Sequence, residues 1–245
     1  GIVSMNRPDK LNALSADLKR ALVERLHDAD RDAATTVVVL RAEGRSFSAG
    51  YDISPNPARA ARRGNALAWH ESLNDDIRLE MTPWDMNKPV VASVQGHCLG
   101  GGCELMMLCD LAIAADDALF GEPEIRFSNV GPGLVMPFVV GLRRARELLY
   151  LGDTIDARTA LAWGMVNRVV PRAELETGTL NRRDPRERRP RRRPQVAGLP
   201  VRGVVASVIA EGAALGGEPS KLSDSKSGVG QALDHCRNSL GKATG

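Results

Sequence analysis

The sequence has 245 residues, of which 43% are hydrophobic and 26% are charged, and its formal net charge is +3. This length and apolar content can support one domain with a sizeable core. The sequence has no apolar run of about 18 residues and no charged-then-apolar leader, so neither a membrane span nor a secretory signal is indicated. The four cysteines form no CxxC pair, so we expect reduced core residues in a cytoplasmic protein rather than disulfides or zinc ligands.

Helix and strand signals alternate in the first hundred residues. Ser15 is placed to cap a helix in which leucines recur every fourth residue from 18 to 26. The runs Val37–Leu40 and Val90–Val94 are apolar and β-branched, which is typical of strands covered on both faces. This alternation predicts an α/β chain.

A triple glycine follows the second of these strands. Gly100, Gly101 and Gly102 permit a tight turn, and the apolar stretch after them predicts a helix that begins at the turn. The free N–H groups at a helix N-terminus suit an anion or a developing oxyanion. Glu104 lies in the first turn among apolar neighbours. It could simply complement the helix dipole, but a carboxylate in such surroundings is costly unless it is paired or functional.

A second candidate site lies upstream, in a loop bracketed by Gly44 and Gly50. This loop could aim the N–H of Tyr51 outward. Two convergent N–H donors, from Tyr51 and Gly101, would form an oxyanion hole.

The middle of the chain continues the alternation. We predict a strand over Leu111–Ala115 and a helix over 143–151 that Gly152 ends. Asp156 is placed to cap the next helix. Gly164 is placed to end that helix before a strand over Met165–Val170.

Four motifs in order carry a family resemblance. They are MNRPDKLNALS (Met5–Ser15), GRSFSAGYDI (Gly44–Ile53), KPVVASVQGHCLGGGCELMMLCDLAIAADDALFGEPEI (Lys88–Ile125) and LGDTIDARTALAWGMVNRVVP (Leu151–Pro171). Together they resemble the enoyl-CoA hydratase/isomerase, or crotonase, family over residues 1–172. We take these residues as the catalytic core. The resemblance implies a spiral of β-β-α repeats with a helical C-terminal region.

The same resemblance implies the chemistry. A thioester carbonyl would bind between the backbone amides of Tyr51 and Gly101. Glu104 and Glu124 fall at both glutamate positions of the family's hydratases, with Glu104 as the water-activating base and Glu124 as the acid for the α-carbon. An isomerase can work with one carboxylate, so the second glutamate favours a hydratase, a hydro-lyase, over the alternative of a delta-isomerase.

Substrate and assembly also follow from the resemblance. The adenine end of CoA would contact two loops, through Lys10, Leu11, Ala13, Ala49, Asp52 and Ile53. We expect no metal and no cofactor besides the CoA thioester substrate, a role in fatty acid metabolism, and a homo-trimer or hexamer if the C-terminal region packs.

The character of the chain changes after Pro171. No aromatic residue follows Trp163, and Asn181–Arg193 holds eight arginines against two acidic residues. We interpret 173–200 as a basic, proline-rich linker and 201–245 as an atypical region, where the family would have regular helices. We have two hypotheses for this departure. The residues come from a shifted reading frame, or they are poorly ordered.

Three alternatives remain open at the sequence level. A catalytically impaired crotonase fold could bind RNA through its arginines, since clustered arginines contact phosphates. Because aromatic residues are missing there, we do not expect a nucleic-acid partner. An intact fold could also be inactive through its C-terminus. Finally, Gly1 falls within an early strand of the family pattern, so the sequence is open to being a fragment.

Overall fold

The computed structural model describes residues 1–55, 57, 60, 65–127, 133 and 135–180. The strands are β1 (Ile2–Met5), β2 (Val38–Ala42), β3 (Val90–Val94), β4 (His97–Leu99), β5 (Leu111–Ala115), β6 (Leu119–Gly121), β7 (Thr154–Asp156) and β8 (Arg168–Val170). The α-helices are α1 (Ala16–Arg31), α2 (Ala66–Asp85), α3 (Gly101–Met107), α4 (Met136–Val140), α5 (Leu142–Leu151), α6 (Ala157–Trp163) and α7 (Leu175–Leu180). Three 3-10 helices cover Pro8–Lys10, Pro123–Phe127 and Arg172–Glu174. None of the helices in these ranges is both long and apolar enough to cross a bilayer.

A parallel sheet with the strand order β1-β2-β3-β5-β8 forms the centre of the fold. Val38 pairs with Val90 across β2 and β3, and Val91 pairs with Leu111 across β3 and β5. All five residues of β3 are buried, as expected for a parallel strand with both faces covered. The prediction of an α/β chain built on apolar strands is confirmed.

A smaller sheet of three strands carries the strand that leads into the glycine turn and the strand that leads towards Glu124. β4 pairs in parallel with β6, and β6 pairs antiparallel with β7. β4 ends at Leu99, immediately before the triple glycine, and β6 ends at Gly121, three residues before Glu124. The sheet therefore holds both glutamate-bearing segments side by side.

Local capping chemistry sets several helix boundaries as predicted. The Ser15 hydroxyl accepts from the N–H of Leu18 at 3.3 Å, and the Asp156 carboxylate accepts from the N–H of Thr159 at 2.7 Å. Gly152 ends α5 in the left-handed conformation, with φ of 67°. α1 buries its leucine stripe against the core.

Two stretches differ from the sequence expectations. The strand predicted over Met165–Val170 is only three residues long, because the N–H of Met165 bonds to Ala160 in the turn that ends α6. Residues 175–180, assigned to the linker, form α7, whose Leu175 packs against Val91 and Ile113. The remainder of the proposed linker and region 201–245 lie outside the described residues.

Candidate active site

The turn at Gly100 brings β4 into α3. Gly100 has φ of 51° and ψ of −132°, a conformation that side chains rarely adopt. Its N–H donates to Gly121 at 2.9 Å. Its carbonyl accepts from Cys103 and Glu104 at 2.7 and 3.0 Å. This glycine thereby fixes where α3 begins and where Glu104 projects.

The loop that contains Tyr51 lies against the same turn. Ser48 donates through its N–H to His97 at 2.9 Å, and its carbonyl accepts from Leu99 at 3.0 Å. A Cβ at Gly50 would lie 3.0 Å from the Leu99 carbonyl oxygen. The backbone therefore brings together the two segments that the sequence analysis selected as sources of N–H donors.

The candidate oxyanion donors have free N–H groups. The N–H groups of Tyr51 and Gly101 find no acceptor among the described residues. The ring of Tyr51 lies over the Cα of Gly101, since a Cβ there would be 2.5 Å from Cε2 and from Cζ. Tyr51 thus approaches the turn through its side chain as well as its backbone.

The two predicted catalytic glutamates both reach the glycine turn. Glu104 is 1% exposed on α3, whereas Glu124 is half-buried on the 3-10 helix after β6. A Cβ on Gly100 would lie 1.9 Å from Oε1 of Glu124. Within the described part of the chain, Oε1 of Glu104 and Oε2 of Glu124 are buried without a hydrogen-bond partner. Unpaired buried carboxyl oxygens are costly, and they are typical of sites that bind a ligand.

Burial controls the protonation of this pair. It raises the pKa of Glu104 to about 8, with a further contribution from the charge of Glu124. Burial also raises the pKa of Glu124, but there the charge of Glu104 does not contribute. Because the charge of Glu124 contributes to the raised pKa of Glu104, Glu124 loses its proton first, and Glu104 keeps its proton up to about pH 8.

Two further buried acids stand beside the pair, and the sequence analysis missed both. Glu122 and Glu80 are each 2% exposed. Burial, followed by neighbouring acidic groups that include Glu104, raises the pKa of both carboxyls well above the ordinary range. The position of Glu122 two residues before Glu124 was an available signal. The Asp76–Glu80 spacing on one face of a helix was another.

The loops predicted to contact CoA lie side by side. Ala49 donates through its N–H to Leu11 at 2.9 Å, and Asp52 donates to Leu14 at 3.2 Å. The side chain of Asp52 pairs with Arg7 at 2.5 Å. Ala13 lies in the first of these loops, and Lys10 and Ile53 are exposed at the rim.

Asn12, which the sequence analysis did not select, joins these loops. It is fully buried, and its amide donates to the carbonyls of Glu43 and Ser46 at 2.9 and 2.8 Å. Its side-chain oxygen accepts from the N–H of Arg7 at 2.7 Å. This one side chain fixes the loop before α1 against the loop after β2.

A cavity of about 190 Å³ lies elsewhere, between the large sheet and α7. Its wall includes Arg41, which pairs with Glu43 and with Glu176. Its lining does not include Glu80, Glu104, Glu122 or Glu124, so this cavity is separate from the candidate active site.

Comparison with known proteins agrees with this arrangement. The family model described as enoyl-CoA hydratase/isomerase matches residues 1–189. The chain belongs to the enoyl-CoA hydratase/isomerase family. The chain is similar to the crystal structure of an enoyl-CoA hydratase/isomerase from Xanthobacter autotrophicus Py2. The two sequences are 32% identical and the structures superpose with a TM-score of 0.71. The match covers 86% of this chain and 77% of that one. An enoyl-CoA hydratase from Bacillus anthracis is 33% identical with a TM-score of 0.66, over 73% of this chain and 69% of that one. The expected crotonase fold is thereby confirmed.

Curated relatives give the same family. The crotonyl-CoA hydratase of Syntrophomonas wolfei is 37% identical over 182 residues, which are 71% of this chain and 66% of that protein. A probable enoyl-CoA hydratase of Mycobacterium tuberculosis is 33% identical over 184 residues, 72% of this chain and 67% of that protein. The chain thus spans about two thirds of the length of these relatives. They support an enoyl-CoA hydratase activity, of the hydro-lyase class, within the enoyl-CoA hydratase/isomerase family.

Proposed function

We propose that this chain adds water across the 2,3 double bond of an enoyl-CoA thioester. Glu104 and Glu124 form the catalytic pair, and the backbone N–H groups of Tyr51 and Gly101 form the oxyanion hole. The observation that carries the proposal is that buried Glu104 and half-buried Glu124 lie at one glycine turn, each with a carboxyl oxygen that has no hydrogen-bond partner among the described residues.

The reaction follows from where charge develops. When the thioester oxygen accepts the two N–H groups, electron density moves from the double bond towards that oxygen, and C3 becomes electrophilic. Glu104 takes one proton from a water molecule whose oxygen bonds to C3. Glu124 delivers its proton to C2, and the thioester carbonyl re-forms. The product is a 3-hydroxyacyl-CoA, and one proton has passed from Glu124 to Glu104 in net terms.

The resting protonation of the pair is the reverse of the form that these roles require. Once Glu124 is ionised, the pair holds one proton up to about pH 8, and burial places that proton on Glu104. The working form has that proton on Glu124 instead. A water molecule bound to both carboxyl groups can carry the proton across, so the total charge of the pair stays the same. After the reaction the proton is again on Glu104, which is the resting form, so the transfer to Glu124 precedes each turnover.

The wider proposal carries over the family's properties. CoA would lie along the paired loops described above, with Lys10, Leu11, Ala13, Ala49, Asp52 and Ile53 as contacts, and the reaction would need no separate cofactor. A cytoplasmic location, a role in fatty acid metabolism and a homo-trimer or hexamer complete the proposal. Assembly is supported by apolar side chains that are more than half exposed around α4 and α5, namely Phe127, Phe138, Leu142, Tyr150 and Leu151.

An absorbance assay tests the reaction. Purified protein should consume crotonyl-CoA with loss of the conjugated-thioester absorbance, and 3-hydroxybutanoyl-CoA should appear. A 3-enoyl-CoA offered in parallel tests the isomerase, because its conversion creates the conjugated absorbance. Isomerisation without hydration would overturn the proposal. Size-exclusion chromatography with light scattering tests the oligomer separately.

A further inference from the structure

The side chain of Tyr51 is not used by the proposed reaction, yet it lies beside the reacting groups. The ring lies over the Cα of Gly101, and the carboxylate of Glu124 lies against Gly100. Adjacent Cα atoms are about 3.8 Å apart. The ring and the carboxylate therefore contact neighbouring residues of the same turn.

A hydrogen bond holds this ring in place. The Tyr51 hydroxyl donates to Oε1 of Glu80, a residue of α2 that is 2% exposed. Because Glu80 is buried, rotating the ring away would leave its carboxyl group without this hydrogen-bond partner. The ring is therefore a fixed wall rather than a mobile one.

Further charged groups stand behind the ring. Nζ of Lys19 lies 5.7 Å from the ring centroid, within the range of a cation–π contact, and pairs with Asp76. Asp76 and Glu80 lie one turn apart on α2. Paired polar groups thus lie against the ring and its hydroxyl.

An acyl chain that extended past the ring would meet two obstacles, the ring of Tyr51 and the paired polar groups against it. It would have to displace an aromatic side chain, and it would then press hydrocarbon against paired buried charges. Removing partners from such groups is strongly unfavourable.

We propose, on the basis of the proposed hydratase function, that Tyr51 is a specificity-determining residue which restricts the acyl group to short chains. Glu80 acts as a positioning residue that fixes the ring of Tyr51. The substrate class is then the short-chain enoyl-CoA thioesters.

The test compares enoyl-CoA substrates with four, six and ten acyl carbons. The measured quantity is the ratio of kcat/KM for the ten-carbon substrate to kcat/KM for the four-carbon substrate. Because each variant supplies its own reference, a general loss of activity cancels. In Tyr51→Ala, which keeps the backbone N–H, this ratio should rise at least about tenfold, since one methylene group in a pocket changes kcat/KM by roughly 10–200-fold.

Two variants separate the ring from its anchor. Tyr51→Phe keeps the ring and loses the hydrogen bond, so the ratio should rise by less than in Tyr51→Ala. Glu80→Gln keeps an acceptor for the hydroxyl and should keep the wild-type ratio. Leu161→Ala is the control, because that leucine is 42% exposed on α6, away from the candidate active site, and it should also keep the ratio. If Tyr51→Ala does not fold, Tyr51→Leu replaces it.

A ratio in Tyr51→Ala within about twofold of wild type would overturn the inference. Calorimetric binding of butanoyl-CoA and decanoyl-CoA separates this failure from failure of the proposed function, because neither ligand is turned over. Preference for butanoyl-CoA that is lost in Tyr51→Ala supports the inference even if hydration is absent. Equal affinity for both ligands in wild type contradicts it even if hydration is present. No binding of either ligand contradicts both proposals.

Discussion

The carboxylate of Glu124 lies so close to Gly100 that a methyl group on that glycine would be 1.9 Å from Oε1. Gly100→Ala must therefore displace Glu124, in addition to the strain of an alanine at φ of 51°. We expect kcat/KM for crotonyl-CoA to fall by roughly 100-fold or more, as for loss of a general acid or base. The unfolding free energy should fall by about 1–3 kcal/mol.

Gly141→Ala is the matched control for this substitution. Gly141 also has a positive φ, of 84°, but among the described residues no atom beyond its own helix and chain neighbours lies within 4 Å of its would-be Cβ. This variant should lose about 1–2 kcal/mol of stability through backbone strain alone and keep its kcat/KM. Equal activity in the two alanine variants would show that Glu124 is not needed at this position.

Removal of either carboxyl group of the proposed catalytic pair should abolish most of the activity. We expect Glu104→Gln and Glu124→Gln each to reduce kcat for crotonyl-CoA hydration by about 10²- to 10⁴-fold. The double variant should lose much less than the product of the two factors, because the two carboxyl groups act on one water molecule. Glu24→Gln, an exposed residue, is the control. Multiplicative losses would indicate that the two groups act independently.

The pH dependence of kcat/KM should have an alkaline limb near pH 8. Once Glu124 is ionised, the pair holds one proton up to about pH 8, and above that pH Glu104, whose pKa is raised to about 8, loses that proton. The fully ionised pair lacks the acid that protonates C2, so kcat/KM should fall as pH rises. A pH profile of crotonyl-CoA hydration, measured at low substrate concentration, reports this free-enzyme ionisation. Activity that instead rises through pH 8 would assign the ionised pair as the working form.

Stability should also depend on the ionisation of Glu104. Its folded-state pKa of about 8 exceeds the ordinary value of 4.5. Between these two pH values the folded state therefore binds more protons than the unfolded state. The unfolding free energy should therefore fall as pH rises, by up to about 1.4 kcal/mol per pH unit from this group. Urea unfolding of Glu104→Gln should show a shallower slope than wild type, while Glu24→Gln should keep the wild-type slope. Parallel slopes in all three proteins would contradict the buried ionisation.

Local chemistry made much of the fold predictable. Ser15 and Asp156 cap the N-termini of their helices through hydrogen bonds to residues three positions away. A short window of sequence therefore contains the whole interaction. The run Val90–Val94 is apolar on both faces, and a buried parallel strand is the structure that such a run favours. The family motifs likewise selected Glu104 and Glu124 as the two glutamates of a hydratase site.

The contact between Tyr51 and Glu80 was not predictable in this way. It joins a loop after β2 to the middle of α2, and no short sequence pattern couples the two. Glu80 follows Asp76 by one helical turn, which equally describes a solvated face of a helix. Only the packing of α2 against α1 and α3 turns that face inward, where its acids become buried.

The buried amide of Asn12 has a consequence for how the nucleotide end of a ligand would be received. Since one side chain ties Arg7, Glu43 and Ser46 together, the strip beside it is assembled during folding of the protein itself. A ligand that docks there meets a preorganised surface, so its association is not opposed by the entropy of ordering those loops.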